Sequence, residues 1–208
     1  MRNFILMLAV IILTSCIGSN VLAAGPKKIR KCMTIKKSGS YVVTKNLQAT
    51  MKTDGHCITI DADFVTLDLG GFTLKGLDEG IGFGVWDNNI SHTNVVVRNG
   101  NITQFLLGMS LYNCNVGTIE NIAAFDNTLN GINTGSAFIV TENKALDNGN
   151  TGIQVNAGSL VKNNISRGNI GNGFYFNCPV NSIGNMAMEN ISTNYYNAGV
   201  GCQSANNL

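Results

Sequence analysis

Charged residues are scarce in this sequence. Lysine, arginine, aspartate and glutamate make up 12% of the 208 residues, and the formal net charge is +2. A chain with so small a net charge is not expected to carry a basic surface for nucleic acid or an acidic tail. The composition therefore argues against a DNA or RNA partner.

Long hydrophobic runs are missing after the N-terminal segment, so the sequence predicts no membrane-spanning helix, which needs about 18 consecutive apolar residues. The N-terminus itself has Arg2, an apolar run over 4–13 and then small residues. This is the order of a secretory signal, and the run is too short to cross a bilayer. We predict a signal peptide over 1–23 and a secreted or periplasmic protein.

A second interpretation of the N-terminus also stands. Leu13-Thr14-Ser15-Cys16 resembles a lipobox. Processing there would make Cys16 a lipid anchor to the cell envelope, although the small residues before Ala24 favour release.

Cysteine is limited to six residues, of which five remain after removal of 1–23. An oxidising compartment permits pairing, but sequence alone does not fix which cysteines pair. We predict a Cys32–Cys57 bridge near one end and a Cys178–Cys202 bridge near the other. Cys114 would then be a buried free thiol.

An internal repeat with a period of about 21 residues organises the second half of the chain. Glycines recur at this spacing, and so do two columns of asparagine. The glycines are Gly131, Gly152 and Gly173; the first asparagine column is Asn127, Asn148, Asn169 and Asn190, and the second is Asn101, Asn121, Asn143, Asn164 and Asn185.

Each repeat glycine is followed by alternating apolar and polar residues, as in Gly152-Ile-Gln-Val-Asn. This alternation indicates a short strand with one buried face, and each repeat contains two or three such strands. The pattern predicts an all-β fold, a right-handed parallel β-helix solenoid with coils of about 21 residues that stack at roughly 4.8 Å. Asparagine would supply left-handed turns and amide ladders, and glycine the tight corners. The leucine spacing of leucine-rich repeats is lacking.

The predicted organisation has four parts. The signal peptide is followed by an N-terminal cap and linker over 24–54, in which 40–47 forms a capping strand. The β-helix spans 55–194, and a C-terminal cap spans 195–208.

The chain resembles secreted bacterial proteins of the pectate-lyase-like, right-handed parallel β-helix superfamily. This resemblance implies the fold but not one activity, because the superfamily includes lyases, hydrolases, epimerases, adhesins and scaffolds. The segments that carry it are Gly39-Ser-Tyr41, Asn46-Leu47, Ile58-Thr-Ile60, 65–74 and 97–102, followed by the Asn/Gly repeats.

Catalytic residues are hard to find in this sequence. The outward position two residues after the repeat glycine holds Ser110, Asn133, Gln154 and Tyr175, none of which is an acid or a base. The Asp-Pro-His-Asp motif of similar alginate epimerases is also missing. A lyase or hydrolase needs convergent carboxylates and a base.

A candidate catalytic cluster remains near the N-terminal end. Its acids are Asp61, Asp63 and Asp87, and its possible bases are Arg98, His56 and His92. Asp61 and Asp63 also fit the simpler interpretation of turn residues that bond their own backbone. Arg98 aligns with Asp68 of a neighbouring coil, which predicts a surface ion pair.

No cofactor is expected, with Ca²⁺ as the one alternative. The alignment places Glu120 over Glu142 and Asp126 over Asp147, and such pairs either bridge a cation or point into water. Neither column has a third acid, whereas Ca²⁺ prefers six or more oxygens. The two histidines have no metal-ligand spacing.

Aromatic residues give the main functional lead. Tyr175 and Tyr196 are one repeat apart and should stack, and Gln154 precedes Tyr175 in the same outward column. Trp86 and Tyr112 should share another column. Exposed aromatic rings beside side-chain amides are typical of sugar-binding surfaces. Rings that pack under loops would give the same sequence pattern. We predict non-catalytic binding of polysaccharide or cell-envelope glycan. The alternatives are an atypical polysaccharide lyase or glycoside hydrolase and a structural or adhesion scaffold.

Overall fold

The computed structural model describes residues 25–77 and 80–208. The predicted signal peptide and Cys16 lie outside these ranges. In the described residues the chain forms twenty strands and a 3-10 helix, Met51–Thr53. The strands are β1 (Lys27–Ile29), β2 (Met33–Ile35), β3 (Gly39–Val43), β4 (Leu47–Gln48), β5 (Ile58–Ile60), β6 (Val65–Asp68), β7 (Thr73–Lys75), β8 (Phe83–Trp86), β9 (Thr93–Thr103), β10 (Leu107–Phe125), β11 (Ile132–Thr141), β12 (Lys144–Leu146), β13 (Ile153–Val155), β14 (Ser159–Lys162), β15 (Ile165–Arg167), β16 (Phe174–Asn177), β17 (Val180–Ile183), β18 (Met186–Met188), β19 (Tyr195–Ala198) and β20 (Gln203–Ala205).

The strands stack in parallel into three faces of a solenoid with about eight coils. Face 1 contains β2, β5, β8, the starts of β10 and β11, β13, β16 and β19. Face 2 contains β1, β3, β6, the start of β9, the middle of β10, the end of β11, β14, β17 and β20. Face 3 contains β4, β7, the ends of β9 and β10, β12, β15 and β18. This confirms the predicted right-handed parallel β-helix.

The stacked coils extend further than predicted at both ends. Strand β1 already pairs in parallel with β3, and β17 still pairs with β20. The segment 40–47 is therefore not a separate capping strand, because β3 and β4 pair in parallel with β6 and β7. At the C-terminal end Tyr195 stacks on the buried Phe174 at 5.1 Å.

The core consists of apolar side chains that repeat from coil to coil. Met33 in β2 and Tyr195 in β19, at the two ends of face 1, are partly exposed, whereas the inward-pointing register partners from β5 to β16 are fully buried. They are Ile58, Val85, Met109, Ile132, Ile153 and Phe174. Alternation along each strand sends every second side chain into this core and the others into solvent.

The first asparagine column forms a buried hydrogen-bonded ladder, as predicted. Each side-chain amide donates to the Oδ1 of the next asparagine, at 2.9 Å from Asn127 to Asn148, 2.9 Å from Asn148 to Asn169 and 2.8 Å from Asn169 to Asn190. The left-handed backbone, however, belongs to the residue before each asparagine, such as Asp147 with φ 52°. The ladder therefore depends on the amide group itself.

The second column is only partly correct. Asn143, Asn164 and Asn185 form a ladder that continues to Asn207. Asn121 does not belong to it, because Ile122 occupies the equivalent position and its backbone N–H donates to Asn143 Oδ1 at 2.9 Å. Asn101 is likewise displaced, since it is the register partner of Ala123. The sequence spacings from Asn101 to Asn121 and from Asn121 to Asn143 both differ from the regular repeat length. This irregularity is the sequence signal that Asn101 and Asn121 do not belong to the column.

The repeat glycines are needed because atoms of the neighbouring coil approach them closely, and not because their φ is positive. At Gly152, a Cβ atom would lie 2.1 Å from Ser166 Oγ, 2.7 Å from Asn169 Nδ2 and 2.8 Å from the Gly173 carbonyl oxygen. The corresponding Cβ at Gly131 would lie 2.9 Å from Asn148 Nδ2. Glycine therefore leaves room for the asparagine ladder of the neighbouring coil.

Replacing Gly152 with alanine is expected to lower the free energy of unfolding by about 2 kcal/mol, because the added methyl group overpacks the ladder. Urea-induced unfolding followed by circular dichroism measures the change. Gly25→Ala is the matched control, since a Cβ at Gly25 meets nothing within 4 Å. Equal stability of the two variants would contradict the close-approach explanation.

Candidate functional site

One outward row on face 1 gathers most of the predicted sugar-binding residues. Trp86, Gln154, Tyr175 and Tyr196 belong to it, and about 24 Å separate its first and last aromatic positions over five coil steps. We call this the face 1 row. Its successive register partners are Thr34, Thr59, Trp86, Ser110, Asn133, Gln154, Tyr175 and Tyr196.

The predicted column of Trp86 over Tyr112 is wrong. Trp86 is the register partner of Ser110, and Tyr112 lies two residues further along β10. Tyr112 is 47% exposed. The coil between the two aromatic residues is longer than the repeat, which shifted the sequence alignment.

The third position of the row, Trp86, belongs to a stacked aromatic cluster. The Trp86 ring lies 4.4 Å from the His56 ring and 5.2 Å from the Phe83 ring. His56 Nδ1 accepts a hydrogen bond from the Phe83 backbone N–H at 3.1 Å, which leaves the neutral imidazole hydrogen on Nε2. Burial lowers the pKa of His56, against the opposing charge of Asp54. His56 is thus a neutral stacking partner at neutral pH.

The C-terminal end of the row carries a tyrosine pair. The Tyr175 and Tyr196 rings stack with centroids 4.9 Å apart and planes 22° apart. Tyr175 is half-buried, and Tyr196 is 45% exposed. Stacking covers one face of each ring, so the pair presents one composite platform rather than two separate ones.

Between Trp86 and the tyrosine pair, two amides are oriented by a buried neighbour. Asn130 Oδ1 accepts the Thr151 backbone N–H at 3.1 Å, so Asn130 Nδ2 is the donor of that amide. It donates to Asn133 Oδ1 at 2.7 Å and to Gln154 Oε1 at 3.1 Å. The NH₂ groups of Asn133 and Gln154 are therefore left to donate, and within the described part of the chain neither has a protein acceptor.

A cavity of about 370 Å³ adjoins the aromatic cluster. Its lining includes Lys36, Lys52, His56, Asp61 and Trp86. The cavity extends along the first two positions of the face 1 row, because Thr34 and Thr59 also line it. The row thus leads into a polar pocket with charges of both signs.

Two of the predicted catalytic acids flank a buried histidine. His92 Nδ1 lies 3.6 Å from Asp63 Oδ1, and His92 Nε2 lies 3.9 Å from Asp61 Oδ1. The ring is 7% exposed, and its Nε2 has no hydrogen-bond partner among the described residues. Asp63 Oδ1 also accepts the Thr93 backbone N–H at 2.9 Å, so this acid bonds the backbone of a neighbouring coil and not, as the simpler interpretation expected, that of its own turn.

The other two candidates have hydrogen-bond partners of their own. Asp87 is fully buried, and its carboxylate accepts the backbone N–H groups of Asn89 at 3.0 Å and Asn113 at 2.7 Å. Arg98 forms the predicted ion pair with Asp68 on face 2, with Nε and Oδ2 3.0 Å apart. Arg98 is therefore engaged with Asp68 and not with the acids Asp61 and Asp63, and the Asp87 carboxylate is occupied by backbone donors.

Both predicted disulfides are present, Cys32–Cys57 and Cys178–Cys202. Cys114 is free and buried, as expected. Burial, reinforced by the charge of Asp87, raises the pKa of the Cys114 thiol to about 12. The thiol stays protonated at neutral pH and is unsuited to act as a nucleophile.

The two predicted acidic columns differ in outcome. Asp126 and Asp147 do stack, since they follow the register partners Phe125 and Leu146. Glu120 over Glu142 is wrong by one residue, because Glu120 pairs with Thr141 and Arg98. In residues 25–77 and 80–208, no three His, Cys, Asp or Glu side chains are grouped so as to hold a metal ion.

A basic surface does exist, contrary to the expectation from net charge. Residues 25–53 contain eight lysine and arginine residues and no acidic residue, and all eight are exposed. We call this segment the basic coil. The whole-chain charge hid it because the acids all lie further along the chain. Its basic residues are Lys27, Lys28, Arg30, Lys31, Lys36, Lys37, Lys45 and Lys52.

Comparisons of the chain with models of protein families, with curated proteins and with solved structures found no match. Among the helices of the described residues, none is long and apolar enough to cross a membrane. The functional assignment therefore depends on the geometry of this chain alone.

Proposed function

We propose that this protein binds polysaccharide or cell-envelope glycan along the face 1 row without chemical conversion. The observation that carries this proposal is the single row that brings Trp86, Gln154, Tyr175 and Tyr196 together on one strand face. A glycan lying along the solenoid axis would meet one side chain of the row at each coil except that of Ser110, which is buried. The coil spacing of about 4.8 Å is close to the advance per sugar in an extended glycan.

The chemistry of the row suits sugars. A sugar ring has an apolar C–H face that packs on aromatic rings and hydroxyl groups that need hydrogen-bond partners. The composite Tyr175–Tyr196 platform offers an aromatic surface for the apolar face of the sugar. The oriented NH₂ groups of Asn133 and Gln154 offer hydrogen-bond partners for the hydroxyl groups, and these partners are donors, not acceptors.

Export of the protein belongs to the same proposal. Two disulfides support it, because such bridges persist in oxidising compartments. The N-terminal signal pattern supports it independently. An exported, pectate-lyase-like solenoid would meet glycans at the cell surface or in the periplasm.

A glycan array tests the proposal, run with and without Ca²⁺ and beside an assay for newly formed unsaturated or reducing sugar ends. Binding without new ends is the expected result. New sugar ends would instead favour the second candidate, a polysaccharide lyase or glycoside hydrolase. Silence in both assays would favour a structural or adhesion scaffold.

The second candidate is retained because of one observation. Asp61 faces the pocket beside Trp86 and lies near the unpartnered nitrogen of buried His92. A carboxylate and an imidazole at one end of a glycan groove are the groups that acid–base chemistry requires. Product formation in the array experiment would direct mutagenesis to this pair.

Substitution of Tyr196 or Gln154 by alanine is expected to weaken binding of the array ligand about 10- to 30-fold, which corresponds to roughly 1.4 to 2 kcal/mol. The change removes the exposed platform in one case and an oriented donor in the other. Isothermal titration calorimetry measures the dissociation constants. Phe64→Ala and Gln203→Ala are the matched controls, since both side chains are exposed away from face 1. Equal weakening by the controls would contradict the assignment.

A further inference from the structure

The basic coil has no internal counterions. In the described residues none of its eight cationic side chains forms a salt bridge with an acidic residue. Lys27 contacts Tyr41, with its Nζ 5.1 Å from the ring centroid. Lys36 and Lys52 share a pocket with Asp61, so the positive potential at this end of the otherwise acidic solenoid is strongest around Arg30, Lys31 and Lys45.

The basic residues surround this end instead of following one face. Lys27 and Lys28 lie in β1 on face 2, and Lys36 and Lys37 follow β2 at the corner between faces 1 and 2. Lys45 lies between β3 and β4, at the opposite corner of face 2. Lys52 lies in the 3-10 helix between faces 3 and 1. A linear polymer along face 1 would meet few of them, whereas a planar partner at the end of the rod would meet most.

A concavity within this ring has the chemistry of an anion site. Its volume is about 530 Å³, and its charged lining is entirely basic: Arg30, Lys31, Lys45 and Lys52. Asn46 and Gln48 add polar groups. An arginine fork together with ammonium groups is the usual donor set for phosphate.

Exposed methionines lie in the same coil. Met33 is 37% exposed and Met51 is 64% exposed, and Met51 directly precedes Lys52. Flexible apolar side chains between cations favour contact with a lipid interface over contact with a fully hydrated polymer.

We propose that the basic coil docks on a membrane surface of anionic phospholipids, with a lipid phosphate group in the concavity lined by Arg30, Lys31, Lys45 and Lys52. The solenoid then stands with its first coil at the membrane and the face 1 row leading away from it. This proposal does not depend on glycan binding, because the two surfaces share only the edge of the first coil.

Sedimentation with phospholipid vesicles tests the docking on the full chain. We expect binding to phosphatidylcholine vesicles that contain about one third phosphatidylglycerol, and a steep loss of binding as salt rises. Changing Arg30, Lys31, Lys45 and Lys52 together to glutamine should weaken this binding by about 100-fold or more, since each basic residue near an anionic surface contributes about fivefold.

The matched control changes Lys75, Lys144, Lys162 and Arg167 to glutamine, which removes the same charge from exposed positions outside the basic coil. This variant should bind nearly as the original chain does. Both variants keep residues 1–24, so any membrane affinity of that segment cancels, and pure phosphatidylcholine vesicles report it separately. Circular dichroism verifies that both variants are folded.

Three results would overturn the proposal. These are equal binding to neutral and anionic vesicles, equal losses in the two glutamine variants, and vesicle binding absent while DNA or a sulfated polysaccharide binds. The last result would identify the basic coil as a site for a soluble polyanion.

Discussion

Replacing Asn148 with alanine is expected to lower the free energy of unfolding by about 4 kcal/mol, because it leaves several buried polar groups without partners. Asn148 is fully buried. Its Oδ1 accepts the backbone N–H and the Nδ2 of Asn127 at 3.2 and 2.9 Å. Its Nδ2 donates to the Ala124 carbonyl oxygen at 3.1 Å and to Asn169 Oδ1 at 2.9 Å. A methyl group replaces none of these four contacts.

The effect should appear as a decrease of about 10 °C in the midpoint of thermal unfolding. Circular dichroism at several wavelengths measures it and shows whether the coils unfold together. Asn181→Ala is the control, since Asn181 is an exposed asparagine in β17. Its expected cost is below about 0.5 kcal/mol. Similar costs for the two variants would show that the ladder contributes little to stability.

Loss of the Cys178–Cys202 bridge is expected to destabilise the last coil by about 3 kcal/mol, which corresponds to roughly 100-fold faster amide exchange there. The bridge spans 24 residues of sequence and joins the end of β16 to the segment before β20. The side chains of β20 are all exposed, so burial does little to hold that strand in place. Each coil contacts only its neighbours, and the effect should therefore remain local.

Hydrogen exchange with mass spectrometry on a Cys178→Ala/Cys202→Ala variant measures this change in β19 and β20. The matched variant, Cys32→Ala/Cys57→Ala, should leave exchange in β19 and β20 unaltered and accelerate it in β2 and β5 instead. Uniform acceleration along the whole chain in either variant would mean that the solenoid unfolds as one unit and would contradict the local effect.

The candidate sugar-binding residues could be placed from sequence where the repeat is regular. From Gly131 onward the constant repeat spacing placed Gln154, Tyr175 and Tyr196 in one outward row, and their register confirms it. Trp86 was assigned to the wrong column because the earlier coils are longer. Its register partner Thr59 lies clearly more than one repeat length before it in the sequence, and the same is true of the partners Asp68 and Arg98.

Electrostatic features were predicted less well. The Asp68–Arg98 pair was found because both residues lie in recognisable strands. The basic coil was missed because a net charge summed over the whole chain cancels it. A sum over 25–53 alone would have revealed it. The role of Asp87 was not visible either, since its partner Asn113 lies on the next coil.

The sequence by itself determined the fold. Strand alternation and a recurring Asn/Gly unit leave stacked parallel coils as the arrangement in which identical side chains meet and every buried amide finds a partner. Only the tertiary structure decided the register of the longer coils, the surroundings of His92 and the place of the basic coil at one end. The physical reason is that extra residues bulge out at the corners of a solenoid without altering its strands, so distance along the chain no longer measures position on a face.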